Sequence, residues 1–301
     1  MEPTMQPVQP LQSVHLFPPL SAELIALLGQ LQPADWQRPT VCPGWTVKDV
    51  AAHLLGGNMG RLAARREQFS APDSLEQTLE MVYAVWDYLP RPSQPFDNFA
   101  TLLAWINQHN TDWVQAAQRI PAPKLIELLA VTDLQLYEHF LSLPPLGLAG
   151  AAVLWAGETR SPNWFDIARE YTEKWLHQQH IREACGQPLL NGRAWLYPVL
   201  DTFLRALPHT FREQSAAIGT CISVLLSGEA GGEWSLLRAD SGWRLYAGAA
   251  DSPTAQVRLP AELAWRLFSK ALPIEAARAQ AEISGDAALG AQVLETVAIM
   301  A

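Results

Sequence analysis

The stretch from Trp164 to Cys185 reads WFDIAREYTEKWLHQQHIREAC. It contains neither Gly nor Pro, and its length and pattern predict one long helix. Glu173 and His177 stand four residues apart and share a face, one turn from each other. Glu170 and His180 extend that face in steps of three. Two carboxylates and two imidazoles on one stripe are costly to bury unless something binds them. A Glu-x-x-x-His pair on a helix is half of a metal site. It is also what a solvated helix face carries, and the helix by itself does not choose. Asn163 is expected to cap this helix, and Gly186 followed by Pro188 closes it in the usual order.

Upstream, the chain reads as a succession of helices. A first helix is expected from Ser21 to Leu31, with Leu24, Ile25, Leu28 and Leu31 on one side and Pro33 as its stop. In DWQRPTVCPGWTVKDVAAHLL (Asp35 to Leu55), Pro39, Pro43 and Gly44 make a rigid turn. Thr46 caps the next helix, with Asp49 placed for a reciprocal capping pair. Val47, Val50, Ala51, Leu54 and Leu55 form its buried stripe, and His53 lies close to that stripe as a core histidine or a ligand. Gly56, Gly57 and Gly60 would let a backbone or ligand approach closely. Further helices are expected over Ser74 to Tyr88, Phe99 to Arg119 and Lys124 to Leu143, separated by prolines. Pro144 to Pro162 is a connecting loop in which Val153 to Ala156 reads as extended.

Beyond Pro188 the texture changes. A helix near Leu196 to Leu207 precedes four alternating runs, Ile218 to Leu225, Gly232 to Arg238, Trp243 to Ala247 and Ala255 to Leu259. Their Gly and Asp punctuation predicts an antiparallel sheet. An amphipathic helix over Ala261 to Ser269, a helical Ile274 to Arg278, a short strand at Ile283 and a closing helix over Leu289 to Met300 follow. The switch of texture puts a domain boundary near 188–192.

The 301-residue length has room for two such domains. A formal charge of −9 argues against a nucleic-acid partner, because phosphates would go unneutralised; the cluster Arg61, Arg65, Arg66 is too short to change that. Twelve Trp imply a large aromatic interior or an apolar pocket. Three scattered cysteines, Cys42, Cys185 and Cys221, fit a reducing cytoplasm and exclude a disulfide framework. With no C-x-x-C, a thiolate zinc site is not expected, and Cys42, in its tight turn, reads as packed. No signal peptide is expected at the Pro/Gln-rich start. Pro144, Pro145 and several Gly break the apolar stretch Leu141 to Ala156, so it is not a membrane span.

CPGWTVKDVAAHLL (Cys42 to Leu55) resembles the N-terminal signature of the mycothiol-dependent maleylpyruvate isomerase family. SPNWFDIAREYTEKWLHQQHIREA (Ser161 to Ala184) is similar to that family's last bundle helix. GGEWSLLRADSGWRLYAG, LAWRLFSKAL and ISGDAALGAQVLETVAIMA resemble the small sterol-carrier-like domain often appended to it. The resemblance implies an α plus α+β chain: a flexible leader over 1–19, a DinB-like four-helix bundle over 20–188, and a small mixed domain with an antiparallel sheet over 189–301.

Carried over residue by residue, the family's metal ligands are His53, Glu173 and His177. His180, Glu170 and Gln178 become candidates for groups around them, with His180 also a possible extra ligand. The ion implied is divalent, Zn²⁺ first, with Ni²⁺, Fe²⁺ or Mn²⁺ compatible with the same donors. In the family an open metal position serves a low-molecular-weight thiol such as mycothiol. The thiolate adds to a conjugated cis double bond, the adduct rotates and eliminates to the trans isomer; in a transferase it attacks an electrophile instead. Both schemes need a basic residue for a substrate anion, and Arg244 and Arg266 are candidates. The partners implied are a thiol and a small electrophile, with monomer and homodimer both open. Two other readings use the same residues: a non-catalytic, stress-related metal protein with an apolar-ligand carrier domain, and a metal-dependent hydrolase with Glu170 or His180 as base.

Overall fold

A computed structural model describes residues 5–66 and 99–299. The helix expected over Ser74 to Tyr88 lies outside the described residues. The chain divides into two compact units. One comprises Gln12–Ala152 with Thr159–Leu189, the other Met1–Leu11, Val153–Glu158 and Leu190–Met300.

The first unit is helical: α1 (Phe17–Gln30), α2 (Val47–Arg66), α3 (Phe99–Ala117), α4 (Ala122–Ser142) and α5 (Asn163–Ala184). α1 packs on α4 and α5, and α2 packs on α4, α5 and α3. The order α1, α4, α2, α5 therefore closes a four-helix bundle, with α3 against the far side of α2. Leu28, Val50, Leu54, Leu55, Leu125, Leu129 and Ile181 fill its core. α1 begins at Phe17 rather than Ser21, because Pro18 and Pro19 preset the first-turn dihedrals. The buried Phe17 ring meets Phe140 and Tyr171 edge-on at 5.1 and 5.9 Å. Residues expected in a flexible leader over 1–19 are instead built into the fold, with Ser13 and Phe17 buried.

α5 is buried on almost every side although it is rich in charge. Its polar groups must then find partners inside the bundle. Lys174 does so at the centre. Its ammonium bonds Asp133 Oδ1 of α4 (2.9 Å) and Asn58 Oδ1 of α2. Asp133 also accepts from Asn58 Nδ2 (2.8 Å) and from Ser21 Oγ of α1 (2.7 Å). One polar cluster therefore joins all four bundle helices. At the N-terminus of α5 the expected Asn163 cap is not formed. Pro162 occupies the cap position, and Asn163 donates instead to the Pro144 carbonyl at 2.9 Å, tying the preceding loop.

The second unit is a six-stranded sheet with short helices. Its strands are β1 (Gln6–Pro7), β2 (Cys221–Ser227), β3 (Gly232–Ala239), β4 (Gly242–Ala247), β5 (Ala255–Pro260) and β6 (Glu282–Gly285), in the order β1-β4-β3-β2-β5-β6. All neighbours are antiparallel except β2 and β5. That parallel pair departs from the uniformly antiparallel expectation. The link from β4 to β5 hydrogen-bonds Ser235 Oγ through the Gly248 carbonyl (2.8 Å) and Ser223 Oγ through Ala250 N (3.3 Å). Two small side chains thus let it cross the sheet and deliver β5 parallel to β2. β1 comes from the supposed leader and pairs with β4.

The helices here are α6 (Arg193–Leu204), α7 (Leu207–Thr210), α8 (Ala261–Phe268), α9 (Ile274–Arg278) and α10 (Ala287–Val293). α10 starts earlier and ends sooner than the closing helix expected at 289–300, since Asp286 caps it at Ala288 N and Leu289 N. Leu154–Ala156 forms a 3₁₀ turn rather than an extended segment. No helix among the described residues is long and apolar enough to cross a membrane.

Candidate metal centre

The centre begins with a turn. Trp45 N donates to the Cys42 carbonyl at 3.0 Å, Pro43 and Gly44 hold the two middle positions, and Gly44 has φ of 77°. This is a type II turn, which needs Gly at its third position. Thr46 then caps α2: its N–H and hydroxyl donate to Asp49 Oδ2 at 2.8 and 2.7 Å, while Asp49 N–H reaches back to Thr46 Oγ1 at 3.4 Å. With the helix start pinned, the bulky Val47, Val50, Leu54 and Leu55 go to the core. His53 turns toward α5, with the Trp45 ring 5.0 Å from its own. Gly56 serves a close approach, though to a side chain rather than a ligand. A Cβ there would lie 2.5 Å from Trp113 Nε1, which donates to the Ala52 carbonyl at 2.7 Å.

α2 and α5 run antiparallel, so residues ascending one helix meet residues descending the other. His53 meets Glu173 and, two turns on, Arg61 meets Glu170 and Asp166, while Asn58 between them reaches Lys174 on the adjoining face. Glu173 Oε1 lies 3.1 Å from both His53 Nε2 and His177 Nε2. The three donor atoms lie within 4.8 Å of one another. Tetrahedral Zn²⁺ with bonds of about 2.0–2.1 Å has ligand-to-ligand edges of about 3.3 Å, so the spacing suits such an ion with little adjustment.

The protonation pattern points the same way. Burial pushes the Glu173 carboxyl up, but the adjacent His177 and hydrogen bonds from both histidines hold it well below the usual carboxylate range. His53 is lowered, by burial first and by the neighbouring His177 charge next, against the opposing bond to Glu173. Burial also lowers His177, yet the Glu173 carboxylate and the Cys42 thiol outweigh it and raise the ring to about 10. The cluster is therefore an ionised carboxylate, a neutral imidazole and one imidazolium proton, and that proton is what a bound cation would displace.

His180 continues the stripe as expected and is buried. Its Nδ1 is 3.2 Å from Cys42 Sγ, so Cys42 is not merely packed: its thiol faces the histidines. The His177 ring stands edge-on to both His53 and His180, at 4.7 and 5.3 Å.

The other two candidates fall elsewhere. Glu170 is held by Arg61 Nε at 2.8 Å and Arg169 Nη2 at 3.1 Å, inside a buried cluster completed by Asp166, which takes both Arg61 Nη atoms at 2.8 Å. Those ion pairs satisfy its carboxylate one turn from the centre. Gln178 projects to a different face, toward α1. Its amide is satisfied when the nitrogen donates to the Leu20 carbonyl (3.1 Å) and the oxygen accepts from Leu24 N (3.0 Å). Five residues from Glu173 along a helix is the wrong angle for the stripe. Arg61 was read only as part of a basic cluster. The signal that finds it is its eight-residue spacing from His53, matched by Glu170 and Asp166 three and seven residues before Glu173. In the second unit, Arg244 bonds Ser241 Oγ at 2.9 Å, and Arg266 stacks over Trp265 at 4.2 Å.

Residues 17–182 match the family model described as the mycothiol maleylpyruvate isomerase N-terminal domain. No curated protein matches the chain. Among solved structures, the crystal structure of a histidine-to-alanine mutant of the mycothiol-dependent maleylpyruvate isomerase is 10% identical, with 92% of this chain and 93% of that chain covered and a TM-score of 0.50. A second crystal structure of the mycothiol-dependent maleylpyruvate isomerase is 10% identical over 87% and 89% of the two chains, with a TM-score of 0.48. At 10% identity the first likeness bears on the fold, which it matches as helices followed by a mixed sheet unit.

Proposed function

The chain belongs to the mycothiol maleylpyruvate isomerase N-terminal domain family, and from that premise we propose that it is a metal-dependent enzyme. It uses a low-molecular-weight thiol, mycothiol or a similar one, for cis–trans isomerisation of, or S-transfer to, a small electrophile. The observation that carries the reading is the convergence of His53 Nε2, Glu173 Oε1 and His177 Nε2 from two antiparallel helices.

In this reading His53 and His177 supply two imidazole donors and Glu173 a carboxylate to a divalent ion, Zn²⁺ first and Ni²⁺, Fe²⁺ or Mn²⁺ as alternatives. A bound ion supplies Lewis acidity and lowers the pKa of a thiol brought to it. Glu173 stays ionised and His53 neutral, so only the His177 proton has to leave before the donors can act. The Trp45 ring packs at a tilt against the His53 ring, with centroids 5.0 Å apart. The Asp133–Lys174–Asn58 cluster, one residue along α5 from Glu173, holds the register of α5 against α2. The second unit is read as the sterol-carrier-like domain. The free thiols Cys42, Cys185 and Cys221 fit a cytoplasmic enzyme. Hydrolysis through an activated water ranks lower, because Glu170, one of its two candidate bases, is engaged by two arginines.

The test is metal content of the purified protein beside His53→Ala and His177→Ala, followed by thiol consumption with conjugated cis-diacids and alkylating electrophiles. Stoichiometric metal in the parent that is lost in His177→Ala, with thiol-dependent turnover by the parent that His53→Ala abolishes, is the expected outcome. Metal retained by both variants would sink the site, and metal without thiol-dependent turnover of any electrophile would return the chain to a binding role.

A further inference from the structure

A second group of metal-binding atoms lies beside the first: Cys42 Sγ, His177 and His180 each offer one donor atom, all within 4.8 Å of one another. The three come from rigid supports. Cys42 opens the type II turn closed by the Trp45 N–H, and its own N–H donates to Thr40 Oγ1 at 3.2 Å. His177 and His180 project from one face of α5, which is buried on almost every side. His180 is itself only 7% exposed. His177 Nδ1 is buried, and no hydrogen bond of ordinary geometry to it is found among the described residues although the Cys42 thiol stands beside the ring. Cys42 Sγ to His180 Nδ1 is 3.2 Å. Tetrahedral Zn²⁺ with a thiolate at about 2.3 Å and an imidazole at about 2.0 Å puts those atoms about 3.5 Å apart.

We propose that Cys42, His177 and His180 form a second metal position, one that favours soft, thiolate-binding cations such as Cu⁺ and also accepts Zn²⁺ and Co²⁺, which shares His177 with the His53–Glu173–His177 set so that one ion occupies either position. The two sets differ in softness: the first offers two nitrogens and a carboxylate oxygen, the second two nitrogens and a sulfur. Sulfur favours the softer ions, so the ion's identity decides where it sits. On binding, the thiol proton passes to solvent and the sulfur coordinates as thiolate. An ion held there would have its thiolate supplied by the chain itself. The position is thus an internal alternative to the external thiol of the proposed function, on which the inference rests only through the shared His177.

Co²⁺ titration of the metal-free full-length chain tests this, read by the near-ultraviolet thiolate-to-cobalt charge-transfer band and by the visible ligand-field bands. Glu173→Gln weakens the first set and is expected to give the charge-transfer band in full, at one equivalent of Co²⁺. Cys42→Ser is expected to bind one equivalent with ligand-field bands and no charge-transfer band. His180→Ala, made in the Glu173→Gln background, is expected to lose the band as well. Far-ultraviolet circular dichroism of each variant checks folding. A Glu173→Gln protein that binds Co²⁺ without the band overturns the proposal, as does a band that survives Cys42→Ser, or two equivalents bound by the parent. Binding without any charge-transfer band leaves the His53–Glu173–His177 site standing, whereas failure of every variant and the parent to bind Co²⁺ sinks both readings.

Discussion

Replacing Asp133 with Ala asks whether charge at the centre of the bundle holds α5 in place. Asp133 and Lys174 are each 8% exposed. The carboxylate accepts from Lys174 Nζ at 2.9 Å, Asn58 Nδ2 at 2.8 Å and Ser21 Oγ at 2.7 Å. Removing it leaves a buried ammonium with the Asn58 amide oxygen as its remaining partner in the cluster. Breaking one side of a buried pair costs about 3–5 kcal/mol, a large part of the roughly 5–15 kcal/mol by which a domain is stable. With a urea dependence of about 2 kcal/mol per molar, the unfolding midpoint of the helical unit should fall by about 2 M.

The pH dependence carries a sign. Burial alone would raise the Asp133 carboxyl, but Lys174 and the hydrogen bonds from Ser21, Lys174 and Asn58 outweigh it and lower it. A carboxylate depressed in the folded state contributes stability that is fully present above its unfolded value of about 3.9 and is lost as pH falls through its folded value. The gap between the parent and Asp133→Ala should therefore be full at neutral pH and close in acid. The double variant Asp133→Leu, Lys174→Met should recover to within about 1 kcal/mol of the parent, because an apolar replacement removes both desolvation costs together. Urea denaturation followed by circular dichroism measures all three. A single variant that costs less than about 1 kcal/mol, or a gap that persists undiminished in acid, would refute the reasoning.

Gly56→Ala should destabilise the helical unit by about 1–3 kcal/mol through overpacking, since its Cβ would lie 2.5 Å from Trp113 Nε1; thermal unfolding reads this. Thr46→Ala removes the hydroxyl that caps α2 and should cost about 0.5–2 kcal/mol, losing the bond from Thr46 Oγ1 to Asp49 Oδ2 and the one from Asp49 N–H to Thr46 Oγ1 while the backbone N–H bond to Asp49 stays. Zn²⁺ at a hundredfold excess over its dissociation constant should stabilise the parent by about 2.7 kcal/mol and leave His177→Ala, which lacks the histidine common to both sets, nearly unmoved; an equal shift in both would place the ion elsewhere. Arg61→Met should cost on the order of 3 kcal/mol, because it leaves Asp166 and Glu170 with Arg169 alone in that cluster.

Much of the fold could be read from local chemistry. Helical period, proline stops and the Thr46–Asp49 cap act over a few residues, so the start of α2 and the extents of α4 and α5 followed closely from the sequence. The errors arose where a distant part of the chain intervened. Residues near the start became β1 because β4 presented an unpaired edge, and β5 runs parallel to β2 because two serines let the link cross the sheet. Asn163 is a good cap by type, but the Pro144 carbonyl claimed it.

For the candidate site, the sequence alone determined a stripe: Glu173, His177 and His180 share a face because a helix repeats every 3.6 residues. It also marked His53 at the edge of a different helix. It could not say what either face meets, because periodicity is a property of one helix and a site is a property of two. Antiparallel packing of α2 on α5 decided that Glu173 touches two histidines, that Glu170 belongs to Arg61, and that Gln178 belongs to α1. The same packing brought Cys42, 138 residues from His180 along the chain, to within 3.2 Å of it. A turn and a helix each hold their own residues at fixed angles, but only the buried core between them sets the distance across which those residues can react.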